Sequence, residues 1–395
     1  MDSFSTYDAL DLADCLKKKE ISQEELIAAS LKEAAKWQPR VHGIAHESNF
    51  PVRSANVSDG VFAGVPTYIK DLEDVEGMPT RYGSKASSIK TATSNPKSVQ
   101  QFLDCGFVCL GKSTTAEFGL IATTEPVFGK PTRNPHDINH SSGGSSGGAA
   151  ALVASGVVPM AHGSDGGGSI RIPAAFCGLV GLKPSRGRLA AMHSEKFQAV
   201  PLTTYGVISR SLRDTISYYQ DIEKREGTPN GLAPIGDNIK AKMPPQRIGL
   251  YLDGPSHSIV NQEIKDVVTH TAKILEGHGH HVELIPYPFG NDIEKWFVNY
   301  WSLMAQTISL LVLAGREKHQ KLKHTEPWTR SLASHFRKNF YKSPFAIRGL
   351  RAFKHDYSKL FSKFDLLLCP TTADVAPPIG PVSYTHLTLP TICSV

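Results

Sequence analysis

Two serines and one lysine have the residue types and settings that could carry nucleophilic chemistry. Ser145 lies in the glycine cluster Gly143 to Gly148, and Ser169, 24 residues later, follows Gly166, Gly167 and Gly168. A serine hydroxyl is a weak nucleophile until a base takes its proton. Histidine is the usual base, yet neither serine lies in a Gly-x-Ser-x-Gly turn, and the 16 histidines sit mostly in polar settings such as Gly277 to His281. Lys70 is the other candidate. It closes a β-like run, Val65 to Ile69, after a Gly-Val-Pro turn, where its side chain can point inward. To act as a base it must be neutral, so burial or nearby positive charge must lower its pKa from about 10.4.

The two glycine clusters must position these groups. In isolation the Gly143 to Gly148 hexamer has linker composition. Here the apolar segment Ala149 to Val158, a buried helix or strand by its pattern, follows it at once, and Ile170 to Leu182 is similarly apolar after the second cluster. Both clusters therefore read as buried turns between core elements. Glycine permits positive φ and close backbone approach there, and successive N–H groups in such turns can cradle an anion.

At 395 residues, with 40% hydrophobic and 20% charged residues, the chain has room for one large α/β domain or two ordinary ones. Tyr7 to Lys18 and Gln23 to Lys36 read as amphipathic helices, the second opened by a capping box of Ser22 and Glu25. From Gly64 short apolar runs alternate with helical ones, the pattern of a layered α/β sheet. A strand at Arg247 to Leu252, a helix at Asn261 to Glu276 and a strand at His281 to Ile285 form a βαβ-like unit. Its helix is expected to turn Ile264, Val267, Val268, Ile274 and Leu275 to the core. Asp292 to Phe361 reads as mostly helical and holds Trp296, Trp301 and Trp328.

Several functions are disfavoured. Gly106 to Ser113 fits the phosphate-loop pattern, but Phe107 to Leu110 are apolar and suit a buried strand better than a loop around phosphate. Cys105 and Cys109 straddle a helix-to-strand junction and read as core residues, and the six cysteines form no disulfide or metal framework. That favours a reducing compartment. The net charge of +6 is modest, so no nucleic-acid partner is expected. No basic, then apolar leader opens the chain, and the apolar run Leu303 to Ala314 is too short to span a bilayer. A cytoplasmic protein without a membrane partner is the expectation; a lipid-contacting surface on that run is the alternative.

Lys70 in Tyr68-Ile69-Lys70-Asp71, the Gly143–Gly148 cluster and Ser164 to Arg188 together resemble the amidase signature family of serine hydrolases. The 24-residue spacing of the serines matches, as do Gly77 to Ser84, Leu110 to Gly119 and Pro131 to Asp137. The resemblance extends from about Ala9 to Gly380. It implies an α/β fold: one large α/β/α layered domain around a central mixed sheet. The domain would span 1–380, with N-terminal helices at about 7–36, a signature core at about 64–222 and a variable helical region at about 292–361.

The resemblance also implies amide hydrolysis without metal or organic cofactor, on a small-molecule substrate; a homodimer is the assembly considered. Ser169 would be the nucleophile, Ser145 the bridging serine after a cis peptide bond, and Lys70 the terminal base. Backbone N–H groups of Gly166, Gly167, Gly168 and Ser169 would form the oxyanion hole, with Asp165, Arg171 and Ser146 in support. Gly166 stands where the family often has threonine, which bears on substrate preference. The Ser164–Pro173 stretch looks more like the small-amide and cyclic-oligoamide hydrolases than like the tRNA-dependent amidotransferases. The alternatives are a component of such an amidotransferase, or an inactive relic of the fold. Residues 381–395 read as a tail without family counterpart on a chain whose C-terminal part is missing.

Overall fold

A computed structural model describes residues 6–53, 59–87, 90–192, 195, 198–229, 231–236, 243–254, 259–290, 292–314 and 322–380. The expected tail, 381–395, lies outside them. The helices are α1 (Ala9–Lys17), α2 (Gln23–Val41), α3 (Lys97–Leu103), α4 (Gly147–Ala154), α5 (Arg171–Phe176), α6 (Leu212–Glu226), α7 (Gln262–Gly277), α8 (Asp292–Ala314), α9 (Pro327–Asn339) and α10 (Ser343–Leu360). The strands are β1 (Ile44–Arg53), β2 (Pro66–Lys70), β3 (Val108–Ser113), β4 (Met160–Asp165), β5 (Val180–Gly181), β6 (Thr204–Ser209), β7 (Arg247–Leu250), β8 (His281–Leu284) and β9 (Leu366–Leu368).

The fold is mixed α/β. Its strand ladders form three groups, ordered β1-β3-β2, β4-β6-β5 and β8-β7-β9. In the first, β2 runs parallel to β3 and β1 antiparallel to it. In the second all pairings are antiparallel, and in the third all are parallel. Side chains rather than a ladder bridge the first two groups: Thr67 Oγ1 on β2 donates to the Met160 carbonyl on β4 at 2.9 Å.

Every residue of β2, β3, β4 and β6 is buried. The phosphate-loop pattern is the strand β3, as its apolar residues require, and Cys105 and Cys109 are buried free thiols. Helix α4 is apolar on every side and buried from Gly147 to Val153, the expected state of a helix enclosed by other elements. Helix α2 opens with the capping box of Ser22 and Glu25 and extends past Lys36 to Val41.

Two expectations on outer elements change. In α7 only Ala272 is buried, and Val267 and Ile274 are exposed, because among the described residues no element covers that side of the helix. The apolar run from Leu303 is the second half of α8, which begins at Asp292 and reaches 23 residues, long and apolar enough to cross a bilayer by length and composition. Phe297 and Tyr300 on its first half pack with Val200 and Leu202 against the core.

The glycine cluster before α4 is held by close backbone approach. A Cβ at Gly148 would lie 2.4 Å from both the Thr114 nitrogen and its Oγ1, whereas one at Gly277, at the end of α7, meets nothing within 4 Å. Gly148→Ala is therefore expected to cost about 1–3 kcal/mol, and Gly277→Ala to be neutral or stabilise by up to about 0.5 kcal/mol. Urea denaturation of the two variants checks the contrast; equal effects would contradict it.

Candidate active site

Lys70 is the last residue of β2 and is fully buried. Its Nζ lies 2.8 Å from Ser145 Oγ, 3.0 Å from Ser164 Oγ and 3.3 Å from the Ser164 carbonyl. A neutral amine offers two donors and one lone pair. The Ser164 carbonyl can only accept, which leaves one N–H and the lone pair for the hydroxyls of Ser145 and Ser164. Burial lowers the Lys70 pKa to about 7, against the opposing charges of Asp165 and Glu73.

Ser145 follows a cis Gly144–Ser145 peptide bond, as the resemblance implies. Its carbonyl accepts from Ala116 N–H at 3.2 Å, which fastens the loop to the segment after β3. Ser146 N–H donates to the Ser169 carbonyl at 3.2 Å, and Ser146 Oγ donates to the Ser164 carbonyl at 3.2 Å. Ser146 thus ties the loop of Ser145 to β4 and to the loop of Ser169. Ser145 and Ser169 line one cavity, and among the described residues no hydrogen bond joins their two hydroxyls.

Asp165 ends β4 and organises the loop that follows. Its Oδ1 accepts from Gly168 N–H at 2.6 Å and Oδ2 from Ile170 N–H at 3.1 Å. Arg171 clamps the same carboxylate with Nε at 2.8 Å and Nη2 at 2.9 Å. Burial would raise the Asp165 pKa, but Arg171 and these backbone donors hold it well below the usual carboxylate range.

This bonding corrects one expectation. Gly168 has φ +112°, a conformation that suits glycine, and its N–H is directed to Asp165 rather than to an oxyanion. Gly168 shapes the loop; the candidate donors are the N–H groups of Gly166, Gly167 and Ser169. Gly166 and Ser169 line the cavity, whereas a Cβ at Gly167 would point to the Phe297 ring at 3.0 Å.

The cavity beside the serines has a volume of about 490 Å³ and is walled mainly by apolar side chains, among them Leu72, Phe118, Leu120, Trp301, Met304 and Ile308. Of its described lining residues only Glu73 and Tyr82 titrate as acids, and burial raises both, Glu73 to about 7. Trp301 is the tryptophan of the helical region that reaches this wall. A Cβ at Gly166 would come within 2.9 Å of Thr203 Oγ1 and 3.3 Å of the Trp301 benzo edge.

Sequence reasoning missed two residues. Ser164 gives Lys70 two of its three hydrogen-bond partners, and as an ordinary strand serine it carried no signal beyond its place before Asp165. Glu117 lies inside the Leu110–Gly119 motif. Its carboxylate accepts from Ser84 Oγ at 2.5 Å, Glu326 N–H at 2.8 Å and Thr329 Oγ1 at 2.5 Å, fastening α9 to the cavity wall. Beside it, the Leu120 carbonyl accepts from the indole N–H groups of Trp301 at 3.0 Å and Trp328 at 3.2 Å.

A buried amine on a buried serine, beside a second serine in a glycine-rich loop, is a site for acyl transfer. Comparison with known proteins agrees: the amidase family model matches residues 25–393, and the chain belongs to that family and is an amide-hydrolysing enzyme. AmiC of Mycobacterium leprae (strain TN), which carries an amidase assignment, is 36% identical over 390 residues, covering 96% of this chain and 81% of that one. The 6-aminohexanoate cyclic dimer hydrolase structure superposes with a TM-score of 0.84 at 26% identity, covering 98% of this chain and 84% of that one. A component of the glutamyl-tRNA(Gln) amidotransferase of Halothermothrix orenii (strain H 168 / OCM 544 / DSM 9562) is 32% identical, covering 94% of this chain and 83% of that one.

Removing one partner of a buried ion pair leaves the other charge uncompensated. Arg171→Ala is accordingly expected to lower stability by about 3–5 kcal/mol in chemical denaturation. A loss below about 1 kcal/mol would contradict the clamp.

Proposed function

We propose that Ser169 is the acylated nucleophile and that Ser145 and Lys70 relay its proton. Neutral Lys70 takes the Ser145 proton as Ser145 takes that of Ser169, and Ser169 Oγ forms a bond to the amide carbon. N–H groups among Gly166, Gly167 and Ser169 hold the resulting oxyanion. Collapse of the tetrahedral intermediate breaks the C–N bond, and the proton returns through Lys70 and Ser145 to the leaving nitrogen. Water then attacks the Ser169 ester by the same relay and releases the carboxylate. The step from Ser169 to Ser145 requires the hydroxyls to close on one another once substrate fills the cavity, a tightening common to unliganded sites.

The observation that carries this reading is the 2.8 Å contact between the fully buried Lys70 amine and Ser145 Oγ. A lysine held near neutrality at about pH 7 can act as a base; one at its ordinary pKa cannot.

The substrate we propose is a small amide whose group entering the cavity is uncharged and apolar. The wall of Leu72, Phe118, Leu120, Trp301 and Met304 supports this, since a charged group there would lose its hydration without a partner. A reducing, cytoplasmic setting is our further reading, supported by the unpaired state of the five described cysteines.

A chromogenic anilide with a neutral acyl group provides the test. Lys70→Ala is expected to lower kcat/KM by at least about 100-fold, the lower range for a lost general base. In the wild-type enzyme Lys70 is protonated below its pKa of about 7, so kcat/KM is expected to fall with decreasing pH through that value and level off above it. A profile flat from pH 5 to 8, or a Lys70→Ala variant with full activity, would contradict the assignment.

A further inference from the structure

The end of the hairpin formed by α9 and α10 has a composition that catalysis does not use. From Pro327 to His355 the chain has no aspartate or glutamate and seven basic residues: Arg330, Arg337, Lys338, Lys342, Arg348, Arg351 and Lys354. The chain as a whole is only +6, so cationic charge is concentrated here. A solvated helix face is the ordinary fate of such a run. It does not account for the apolar residues among the charges. Phe340 is 63% exposed, Tyr341 59% and Phe345 71%, all within six positions at the helix junction.

Their geometry strengthens the point. Phe340 and Tyr341 meet edge-on with ring centroids 6.2 Å apart, and Lys342 Nζ lies 5.7 Å from the Tyr341 ring. Arg337, Lys338, Lys342 and Arg348 are exposed on the same short stretch. The junction is also anchored to the cavity wall: Arg337 Nη1 donates to Gln306 Oε1 at 2.9 Å, on the turn of α8 that carries the lining residues Met304, Thr307 and Ile308. Further along α8, Leu310, Leu311 and Leu313 are more than half exposed, and Leu311 also lines the cavity.

We propose that this hairpin end is a docking surface for an anionic lipid bilayer. Phe340, Tyr341 and Phe345 enter the interfacial layer, and Arg337, Lys338, Lys342 and Arg348 meet the lipid phosphates and carboxylates. Aromatic and cationic side chains together are what the headgroup region favours: rings sit at the boundary, and each lysine or arginine adds attraction to negative lipid. The charge argues for an anionic partner. The aromatics, projecting from a helix junction rather than lining a groove, argue for insertion into a lipid layer over enclosure of a nucleic-acid strand. Such docking departs from the expectation of no membrane partner without calling on α8 to span anything.

Flotation with phosphatidylcholine vesicles containing 30 mol% phosphatidylserine tests the surface. The full chain is expected to float with these vesicles at 0.1 M salt, and with pure phosphatidylcholine vesicles at least fivefold less. Lys338→Glu with Lys342→Glu is expected to reduce the bound fraction at least tenfold, and so is Phe340→Ser with Phe345→Ser. Both pairs are exposed, so each variant is expected to keep the wild-type circular dichroism spectrum. A milder pair, Phe340→Leu with Phe345→Leu, is expected to restore most binding. No flotation of the wild-type chain, flotation indifferent to both substitution pairs, or binding to RNA but not to vesicles would overturn the proposal.

Discussion

The site depends on keeping one amine out of water without giving it a carboxylate. Three basic side chains of this region, Lys70 and Lys112 buried and Arg171 nearly so, are treated differently. Arg171 is paired twice to Asp165, and Lys112 on β3 lies 3.1 Å from Asp71. Among the described residues Lys70, on the neighbouring strand, hydrogen-bonds only to the hydroxyls of Ser145 and Ser164 and the Ser164 carbonyl. An ion pair would favour its charged form; burial among neutral groups favours the amine. Asp165 and Glu73 act on Lys70 through their charge without bonding to it, and burial outweighs them.

Much of the fold serves that discrimination. The small residues of the Gly143–Gly148 cluster let α4 start against the backbone of Thr114 and Thr123 and the side chain of Thr124, bringing Ser145 to the end of β2. Asp165 accepts from Gly168, Ile170 and Arg171, and so draws the second loop into a fixed turn while leaving Ser169 on the cavity. Ser146 joins the two loops through the Ser169 carbonyl. The outer helices complete the wall. Glu117 and the Leu120 carbonyl hold α8 and α9 against it, so the cavity is shaped jointly by the signature core and the variable helices.

The parts of this arrangement legible in the sequence are those set by residue type and spacing. Glycine clusters flanked by apolar runs marked Ser145 and Ser169, and a lysine closing a short strand marked Lys70. Apolar residues in Gly106 to Ser113 separated a buried strand from a phosphate loop. What could not be read depends on which neighbour a group meets in space. In sequence the N–H of Gly168 is equivalent to that of Gly166; in the fold it is bound to the Asp165 carboxylate. Ser164 and Glu117 act through partners tens or hundreds of residues away, and α7 shows that periodicity defines an apolar face without supplying anything to cover it.

The most direct measurement is the rate at which a fluorophosphonate modifies the protein as a function of pH, with the modified residue located by mass spectrometry. The account predicts a single adduct on Ser169, forming faster as pH rises through about 7 and slowed by orders of magnitude in Lys70→Ala. An adduct on another serine, or a rate on Ser169 that ignores both pH and Lys70, would mean that the buried amine is not the base.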